Sequence, residues 1–231
     1  MYRARLAESL PAVRERLARA LERAGRRDEV TIVAVTKGHG AEALEALLAA
    51  GLGRFGENRV QELEAKVAAV GRGRAEWHLI GHLQRNKVRR ALPLFDLIHS
   101  IDSLRLAQEL SKEAERAGRT VVGLVQVNTS GEATKGGLPA EEAVEGVGRI
   151  AELPGLRIQG LMTMAPFTDD ERVIRRTFAA ARRLFEACAK QVPAFEPRHL
   201  SMGMSNDFEV AVEEGSTMVR LGTVLLGERS Q

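Results

Sequence analysis

Along this chain, short apolar runs alternate with longer segments whose apolar residues recur at spacings of three and four. The opening segment shows the second pattern in a series of five residues, Leu6, Leu10, Val13, Leu17 and Leu21. That spacing places all five side chains on one face of an amphipathic helix. The pattern therefore predicts an N-terminal helix that packs against the rest of the protein.

Eight short apolar runs follow and predict strands, at residues 31–37, 53–58, 75–81, 96–101, 121–130, 156–164, 199–204 and 217–223. Helical stretches lie between them, several closed by a glycine of the kind that ends helices. Strands that alternate with helices favour a parallel sheet with helical crossovers. Eight such units in about 200 residues indicate an α/β protein with a (β/α)8 TIM barrel and an extra N-terminal helix. No linker or low-complexity tract divides the chain, so we expect one domain over residues 1–231.

Composition narrows the class of protein. Lys plus Arg number 34 against 31 Asp plus Glu, a net charge of +3, and the basic residues are scattered, so no nucleic-acid partner is indicated. The single cysteine, Cys188, has no internal disulfide partner, which favours a reducing compartment. No segment approaches the ~18 apolar residues of a membrane span, and the N-terminus lacks a signal-peptide core. We expect a soluble, cytoplasmic protein that does not contact membranes.

Lysine is scarce, with six lysines against 28 arginines, and Lys37 follows an otherwise apolar strand. Active sites of barrels lie where the strands end, on the loops that lead into the helices. Apolar surroundings there would lower the pKa of an amine, and an uncharged amine can attack a carbonyl to form a Schiff base. A solvated charge at the strand end is the alternative, and position alone does not decide between them.

Two loops near the end of the chain are candidates for binding an anion. Gly222 and Thr223 follow the last strand, where exposed backbone N–H groups can bind phosphate. Ser201 and Ser205 bracket a Met-Gly-Met turn, and Asn206 resembles the cap of a short helix. An ordinary turn and an ordinary helix cap explain the same residues equally well.

The remaining polar loops exclude several kinds of site. His78 and His82 have no further His, Cys or carboxylate at a metal-ligand spacing, so we expect no metal site. The chain contains no nucleophile elbow, no P-loop and no dinucleotide fingerprint. Asn58 could cap the helix that follows it or face a ligand.

Several segments, taken in order, resemble one known family. They are "VAVTK", "FGENRVQE", "WHLIGHLQRNK", "HSID", "GLMTMAP" and "LSMGMSNDFEVAVEEGSTMVRLGT". Over nearly the whole chain they are similar to the YggS/PROSC family of pyridoxal 5′-phosphate (PLP) homeostasis proteins. The resemblance implies a barrel like the N-terminal domain of alanine racemase, with PLP bound to a lysine as an internal aldimine.

The resemblance also implies a set of seven cofactor-binding residues. Lys37 matches the lysine that carries PLP, and Arg220 matches an arginine that faces the pyridine nitrogen. Ser201 and its neighbours match one phosphate-binding segment, and the other contains Gly222 and Thr223. Two residues are expected beside the ring: Asn58 and Met164. The resemblance leaves the roles of His39 and Lys135 open.

Racemases of this type use a tyrosine, supplied by a second domain of a partner subunit, on the face of the cofactor opposite the lysine. The single tyrosine here is Tyr2, and the chain ends soon after its last strand. We therefore expect a PLP carrier, monomeric and without a catalytic role of its own, that holds PLP on Lys37 and supplies apo-PLP enzymes. The alternatives are a weak racemase-type PLP enzyme and an aldolase that uses Lys37 as its Schiff-base lysine.

Overall fold

Nine strands and nine α-helices make up the regular structure of the computed structural model, which describes residues 1–132 and 136–228. The strands are β1 Thr31–Val35, β2 Arg54–Glu57, β3 Glu76–Leu79, β4 Leu97–Ile101, β5 Val121–Asn128, β6 Leu138–Pro139, β7 Leu156–Met162, β8 His199–Ser201 and β9 Met218–Leu221. The helices are α1 Tyr2–Arg23, α2 Ala41–Ala49, α3 Val60–Val70, α4 Val88–Ala91, α5 Leu104–Arg116, α6 Ala143–Ala151, α7 Glu171–Gln191, α8 Phe208–Glu213 and α9 Thr223–Leu226.

Eight of the strands close into a parallel barrel. The order β4-β3-β2-β1-β9-β8-β7-β5 is completed by a pairing of β4 with β5, so these strands have no free edge. Each of them lies within one of the eight apolar runs. The predicted (β/α)8 barrel is therefore confirmed. The two-residue strand β6, which the sequence did not predict, pairs with β5 alone.

Alternation along the strands divides the side chains between two layers. On β9, Val219 and Leu221 join the large core between the barrel and its helices. Met218 points the other way, into a small apolar cluster inside the barrel, together with Val33, Leu97, Leu124 and Met162. Because that inner cluster is small, the barrel interior also has room for polar side chains. These polar side chains support the candidate site.

The N-terminal helix packs as its spacing predicts. Leu6, Leu10, Val13 and Leu17 are buried, and Leu21 is half-buried beside the fully buried Ala20. Helix α1 lies against α2, α8 and α9, so it joins the first and last units of the barrel. Cys188 is buried in α7, where burial raises the pKa of its thiol to about 11.

Two helix-cap interpretations are wrong. Helix α8 begins at Phe208 after Asp207, so Asn206 is not its cap; the Asp207 carboxylate accepts a hydrogen bond from the Met204 N–H at 2.6 Å. Helix α3 begins at Val60 and follows Arg59, with no side-chain cap. Asn206 and Asn58 each lie one residue before the N-cap position of the helix that follows, so neither caps that helix.

Within residues 1–132 and 136–228, none of the helices combines the length and the apolar content that crossing a bilayer demands. In the same ranges, no three His, Cys, Asp or Glu side chains are grouped so that they could hold a metal ion.

Candidate functional site

A cavity of about 570 Å³ opens at the carboxyl ends of the barrel strands. Of the seven residues that the resemblance implies, six line it: Lys37, Asn58, Met164, Arg220, Gly222 and Thr223. They come from the ends of β1, β2, β7 and β9, so closure of the barrel is what brings them together. Phe167, a large apolar side chain that is 92% exposed, lines the same cavity.

Lys37 lies two residues beyond the end of β1 and is half-buried. A buried ammonium, that of Lys66, holds the peptide just before it, because Nζ donates to the Thr36 carbonyl oxygen at 2.6 Å. The Glu62 carboxylate holds the peptide just after it by accepting from the Gly38 N–H at 2.5 Å. Both neighbours of Lys37 are therefore fixed by side chains from α3.

Three charged groups share this cluster behind Lys37. Lys66 Nζ also donates to Glu57 Oε1 at 2.6 Å and to Glu62 Oε1 at 2.9 Å. Burial raises the pKa of the fully buried Glu57, and the Lys66 ammonium offsets only part of that effect. Burial acts on Glu62 as well, but hydrogen bonds from Gly38 and Lys66 outweigh it and lower the pKa of that carboxyl. Glu57 Oε2 is buried without a hydrogen-bond partner among the described residues.

His39, whose role the sequence left open, lies buried just after the Lys37 loop. Its Nδ1 is 3.1 Å from the Tyr2 hydroxyl, and the two rings meet edge to face with centroids 5.7 Å apart. Tyr2 is not part of the cavity lining. The tyrosine therefore lies behind the loop, and its hydroxyl anchors α1 to it.

Arg220 is 4% exposed and points from β9 toward the cavity. Its NH1 donates to the Ser201 carbonyl oxygen at 2.9 Å and to Ser201 Oγ at 2.7 Å, and NH2 donates to the Thr163 carbonyl oxygen at 3.0 Å. Burial lowers the pKa of the guanidinium to about 10, against the opposing charge of Asp207. The group still remains a cation at neutral pH.

The structure places Ser201 away from the position that the sequence predicts. Ser201 is fully buried beside Arg220 and does not line the cavity. Instead Ser205 lines it, with Oγ accepting from the backbone N–H groups of Gly222 and Val224 at 3.3 Å each. Both serines lie in the matching segment, and only the turn of the chain at Gly203 decides which hydroxyl reaches the cavity.

Asn58 reaches the cavity because Gly81 allows two loops to touch. A Cβ atom at position 81 would lie 2.3 Å from the Asn58 carbonyl oxygen, so no other residue fits there without moving the backbone. The Ser100 hydroxyl donates to the Gly81 carbonyl oxygen at 2.6 Å and so fixes the position of the loop that contains Gly81.

A pair at the mouth of the cavity was missed from the sequence. His82 Nδ1 and Asp102 Oδ2 are 2.8 Å apart, and both residues line the cavity. They are 20 positions apart and follow neighbouring strands, β3 and β4, so only a prediction of strand order could have paired them. Lys135, the other residue whose role was open, lies outside the described residues.

Comparison with known proteins assigns the fold first. The family model "Alanine racemase, N-terminal domain" matches residues 9–230. An alanine racemase from Clostridium difficile superposes with a TM-score of 0.74 at 18% identity, covering 94% of this chain and 58% of the racemase chain. This protein is therefore a (β/α)8 barrel of the alanine racemase N-terminal class.

More similar relatives then give the family. A pyridoxal phosphate homeostasis protein from Aquifex aeolicus is 41% identical over 96% of this chain and 97% of its own, and one from Escherichia coli K12 is 39% identical with 97% of each covered. The solved structure of PipY from Synechococcus elongatus with PLP bound has a TM-score of 0.84 at 36% identity, covering 96% of this chain and 100% of PipY. The chain belongs to the family of pyridoxal phosphate homeostasis proteins.

Proposed function

We propose that this protein binds PLP in the cavity at the carboxyl end of the barrel, with Lys37 as its covalent anchor, and serves PLP homeostasis. One observation carries the proposal: an amine, a buried cation and a hydroxyl-lined glycine turn all face one cavity of about 570 Å³. PLP has the three matching groups, an aldehyde, a pyridine ring and a phosphate. The residues present therefore fit the cofactor.

The proposed contacts follow from where each residue lies. The Lys37 amine would bond to the aldehyde carbon, whose oxygen would leave as water, and the guanidinium of Arg220 would donate to the ring nitrogen. Gly222 and Thr223, with the Ser205 hydroxyl, would hold the phosphate. Asn58 and Met164 would flank the ring. Ser201 would act through Arg220, which it contacts, and not on the cofactor itself.

Arg220 also supports the role of a carrier over that of an enzyme. When bound, PLP supplies an electron-accepting ring, and that property is strongest when the ring nitrogen is protonated. A cation opposite the nitrogen disfavours its protonation, so Arg220 weakens the ring as an electron sink. The described cavity lining contains no tyrosine to exchange protons opposite Lys37, and the two relatives at about 40% identity are named homeostasis proteins. We propose that the protein has no substantial catalytic cycle.

The setting of this function is also part of the proposal. We propose that residues 1–231 act as one PLP-binding domain, monomeric and in the cytoplasm, and that apo-PLP enzymes receive the cofactor. The lone cysteine, buried in α7, agrees with a reducing compartment.

Titration with PLP tests the binding role. We expect the wild-type protein to acquire visible absorbance at a stoichiometry of one, and Lys37→Ala to lose it. Lys112→Ala is the matched control, because Lys112 is 70% exposed on α5 and does not line the cavity. The proposal would be contradicted if the wild-type protein acquired no visible absorbance at saturating PLP. It would also be contradicted if Lys37→Ala acquired the same absorbance as the wild type.

The His82–Asp102 pair favours a second candidate, a weak racemase-type activity. An imidazole whose Nδ1 is fixed by a carboxylate can exchange a proton through Nε2, and both residues line the cavity. Exchange of the α-proton of L-alanine with solvent deuterium, abolished in His82→Asn, would support it. The Schiff-base aldolase alternative rests on Lys37 alone, and an aldol activity insensitive to Arg220→Ala would be needed to support it.

A further inference from the structure

A file of polar side chains crosses the barrel interior from its amino-terminal end to Arg220. His78 Nε2 is 3.0 Å from Glu76 Oε1, and His78 Nδ1 is 2.8 Å from His99 Nε2. His99 Nδ1 is 3.0 Å from Ser201 Oγ, which accepts from Arg220 NH1 at 2.7 Å. His78, His99 and Ser201 are fully buried, whereas the Glu76 side chain is 44% exposed at the start of β3.

Arg220 lies at the end of the file nearest the cavity, and its role as a hydrogen-bond donor fixes where the other protons lie. A guanidinium can only donate, so Ser201 Oγ is the acceptor in its bond with Arg220. The hydroxyl proton of Ser201 then has His99 Nδ1 as its acceptor. His99 must therefore carry its own proton on Nε2 and donate it to His78 Nδ1. His78 in turn carries its proton on Nε2 and donates it to the Glu76 carboxylate.

The opposite order of protons fails at Ser201. If His99 donated from Nδ1, Ser201 Oγ would accept from both His99 and Arg220, and the hydroxyl proton would have no acceptor within the file. A buried donor without an acceptor costs about 1–3 kcal/mol. The charge states of His99 and Glu76 agree with the first order, because burial lowers the pKa of His99 well below its usual value and the hydrogen bond from His78 lowers the pKa of Glu76 to about 2.

We propose that Glu76, His78, His99 and Ser201 form a hydrogen-bond relay of fixed direction that positions Arg220 for the cofactor ring. Ser201, His99 and His78 each accept from the cavity side and donate toward the Glu76 carboxylate, so the negative charge at the far end strengthens Ser201 Oγ as an acceptor for the guanidinium. Glu76 thereby acts on the cofactor site from the opposite end of the barrel. The part of this inference that concerns the ring rests on the proposed PLP function.

The tautomers of the two histidines test the relay without any cofactor. The full chain, labelled with ¹⁵N at its five histidines, is studied by NMR at neutral pH in the PLP-free state. Peaks are assigned with Asn variants of His39, His82 and His199, which lie outside the relay. We expect His78 and His99 both to carry a proton on Nε2 and to accept a hydrogen bond on Nδ1. A proton on Nδ1 of either ring, or a doubly protonated ring, would overturn the relay.

Substitutions at Glu76 test its direction and its effect on the cofactor site. Glu76→Leu removes the terminal acceptor, so we expect mixed tautomers at both histidines and about tenfold weaker PLP binding, with a shift in the visible absorbance. Glu76→Gln keeps an acceptor oxygen and should retain the Nε2–H tautomers. Arg54→Gln is the matched control, because Arg54 Nε donates to Glu76 Oε2 at 2.9 Å, whereas His78 meets the other oxygen, Oε1.

Two outcomes separate this inference from the proposed function. Unchanged tautomers and PLP affinity in Glu76→Leu, equal to those of Arg54→Gln, would overturn the relay while leaving PLP binding intact. A wild-type protein that binds no PLP would overturn the proposed function, and the tautomers measured in the PLP-free protein would still decide the relay.

Discussion

Two buried polar regions support the cavity, and they are built from different chemistry. Behind Lys37, the ammonium of Lys66 lies between the carboxylates of Glu57 and Glu62. Behind Arg220, the partners of the guanidinium are a hydroxyl and two carbonyl oxygens, and the imidazoles of His99 and His78 continue the file. The first region fixes the backbone on both sides of a lysine, and the second fixes a side chain directly.

The difference has an energetic consequence. Removing one member of a buried ion pair leaves a charge without compensation and costs about 3–5 kcal/mol. Removing a neutral acceptor of a cation that keeps other acceptors costs less, about 1–3 kcal/mol. Substitutions in the buried cluster behind Lys37 should therefore destabilise the protein more than substitutions behind Arg220.

The largest expected effect is that of Lys66→Met, which leaves Glu57 buried without its cation. We expect a loss of about 3–5 kcal/mol in the free energy of unfolding, measured by urea denaturation. Lys112→Met, at an exposed helix position, is the control and should change stability by less than about 0.5 kcal/mol. If the two variants prove equally stable, the cluster behind Lys37 contributes nothing to the fold.

Ser201→Ala should have an intermediate effect. Arg220 keeps the carbonyl oxygens of Ser201 and Thr163, so we expect a loss of about 1–3 kcal/mol, again from urea denaturation. Ser205→Ala is the matched control, because its hydroxyl accepts two long bonds of 3.3 Å at the cavity surface and should matter more for PLP affinity than for stability. A larger loss for Ser201→Ala than for Lys66→Met would reverse the comparison.

Tyr2→Phe should have a smaller effect on the lysine side. It removes the hydroxyl that meets His39 but keeps the edge-to-face contact of the rings, so we expect a loss of about 0.5–1.5 kcal/mol. The same denaturation experiment measures it. A loss as large as that of Lys66→Met would mean that α1, and not α3, is the main support of the Lys37 loop.

The smallest expected effect is a difference in the pH dependence of stability. The pKa of Glu57 is raised in the folded protein, so its contribution falls as pH rises from the unfolded value of about 4.3 toward the folded one. The pKa of Glu76 is lowered to about 2, so its contribution is present above about 4.3 and is lost as pH falls toward about 2. Because Glu76 is partly exposed, solvent reduces its effect.

Between about pH 2 and neutral pH, Glu57→Gln should therefore make the slope of unfolding free energy against pH more positive above about pH 4.3, and Glu76→Gln should make it more negative below about pH 4.3. Denaturant midpoints measured across that range give both slopes. Slope changes of the same sign would show that folding does not shift the pKa values of Glu57 and Glu76 in opposite directions.

The sequence predicts some parts of this molecule better than others, for physical reasons. Each strand carries its own apolar run, so the barrel could be predicted locally, and Lys37, Arg220 and Gly222 could be placed because they occupy strand ends. Which serine faces the cavity depends on how the chain turns at Gly203, where φ is +96°, and no local pattern shows this. The His82–Asp102 pair and the His78–His99 contact arise from the pairing of neighbouring strands.

The buried side chains that support the Lys37 loop could not be predicted from the sequence either. Lys66 and Glu57 are nine positions apart, on a helix and on the strand before it. In the sequence, Lys66 reads as one more charge on an amphipathic helix, yet it is only 6% exposed. Its role depends on how α3 lies against the end of β1, which is a property of the assembled barrel.

Mapping the site of the bond between PLP and the protein decides whether Lys37 is the covalent anchor. The protein is loaded with PLP, reduced with borohydride to make the bond permanent, digested and analysed by mass spectrometry. We expect one pyridoxyl group on the peptide that contains Lys37. A pyridoxyl group found instead on Lys66, Lys87 or Lys135, or on no lysine, would contradict it.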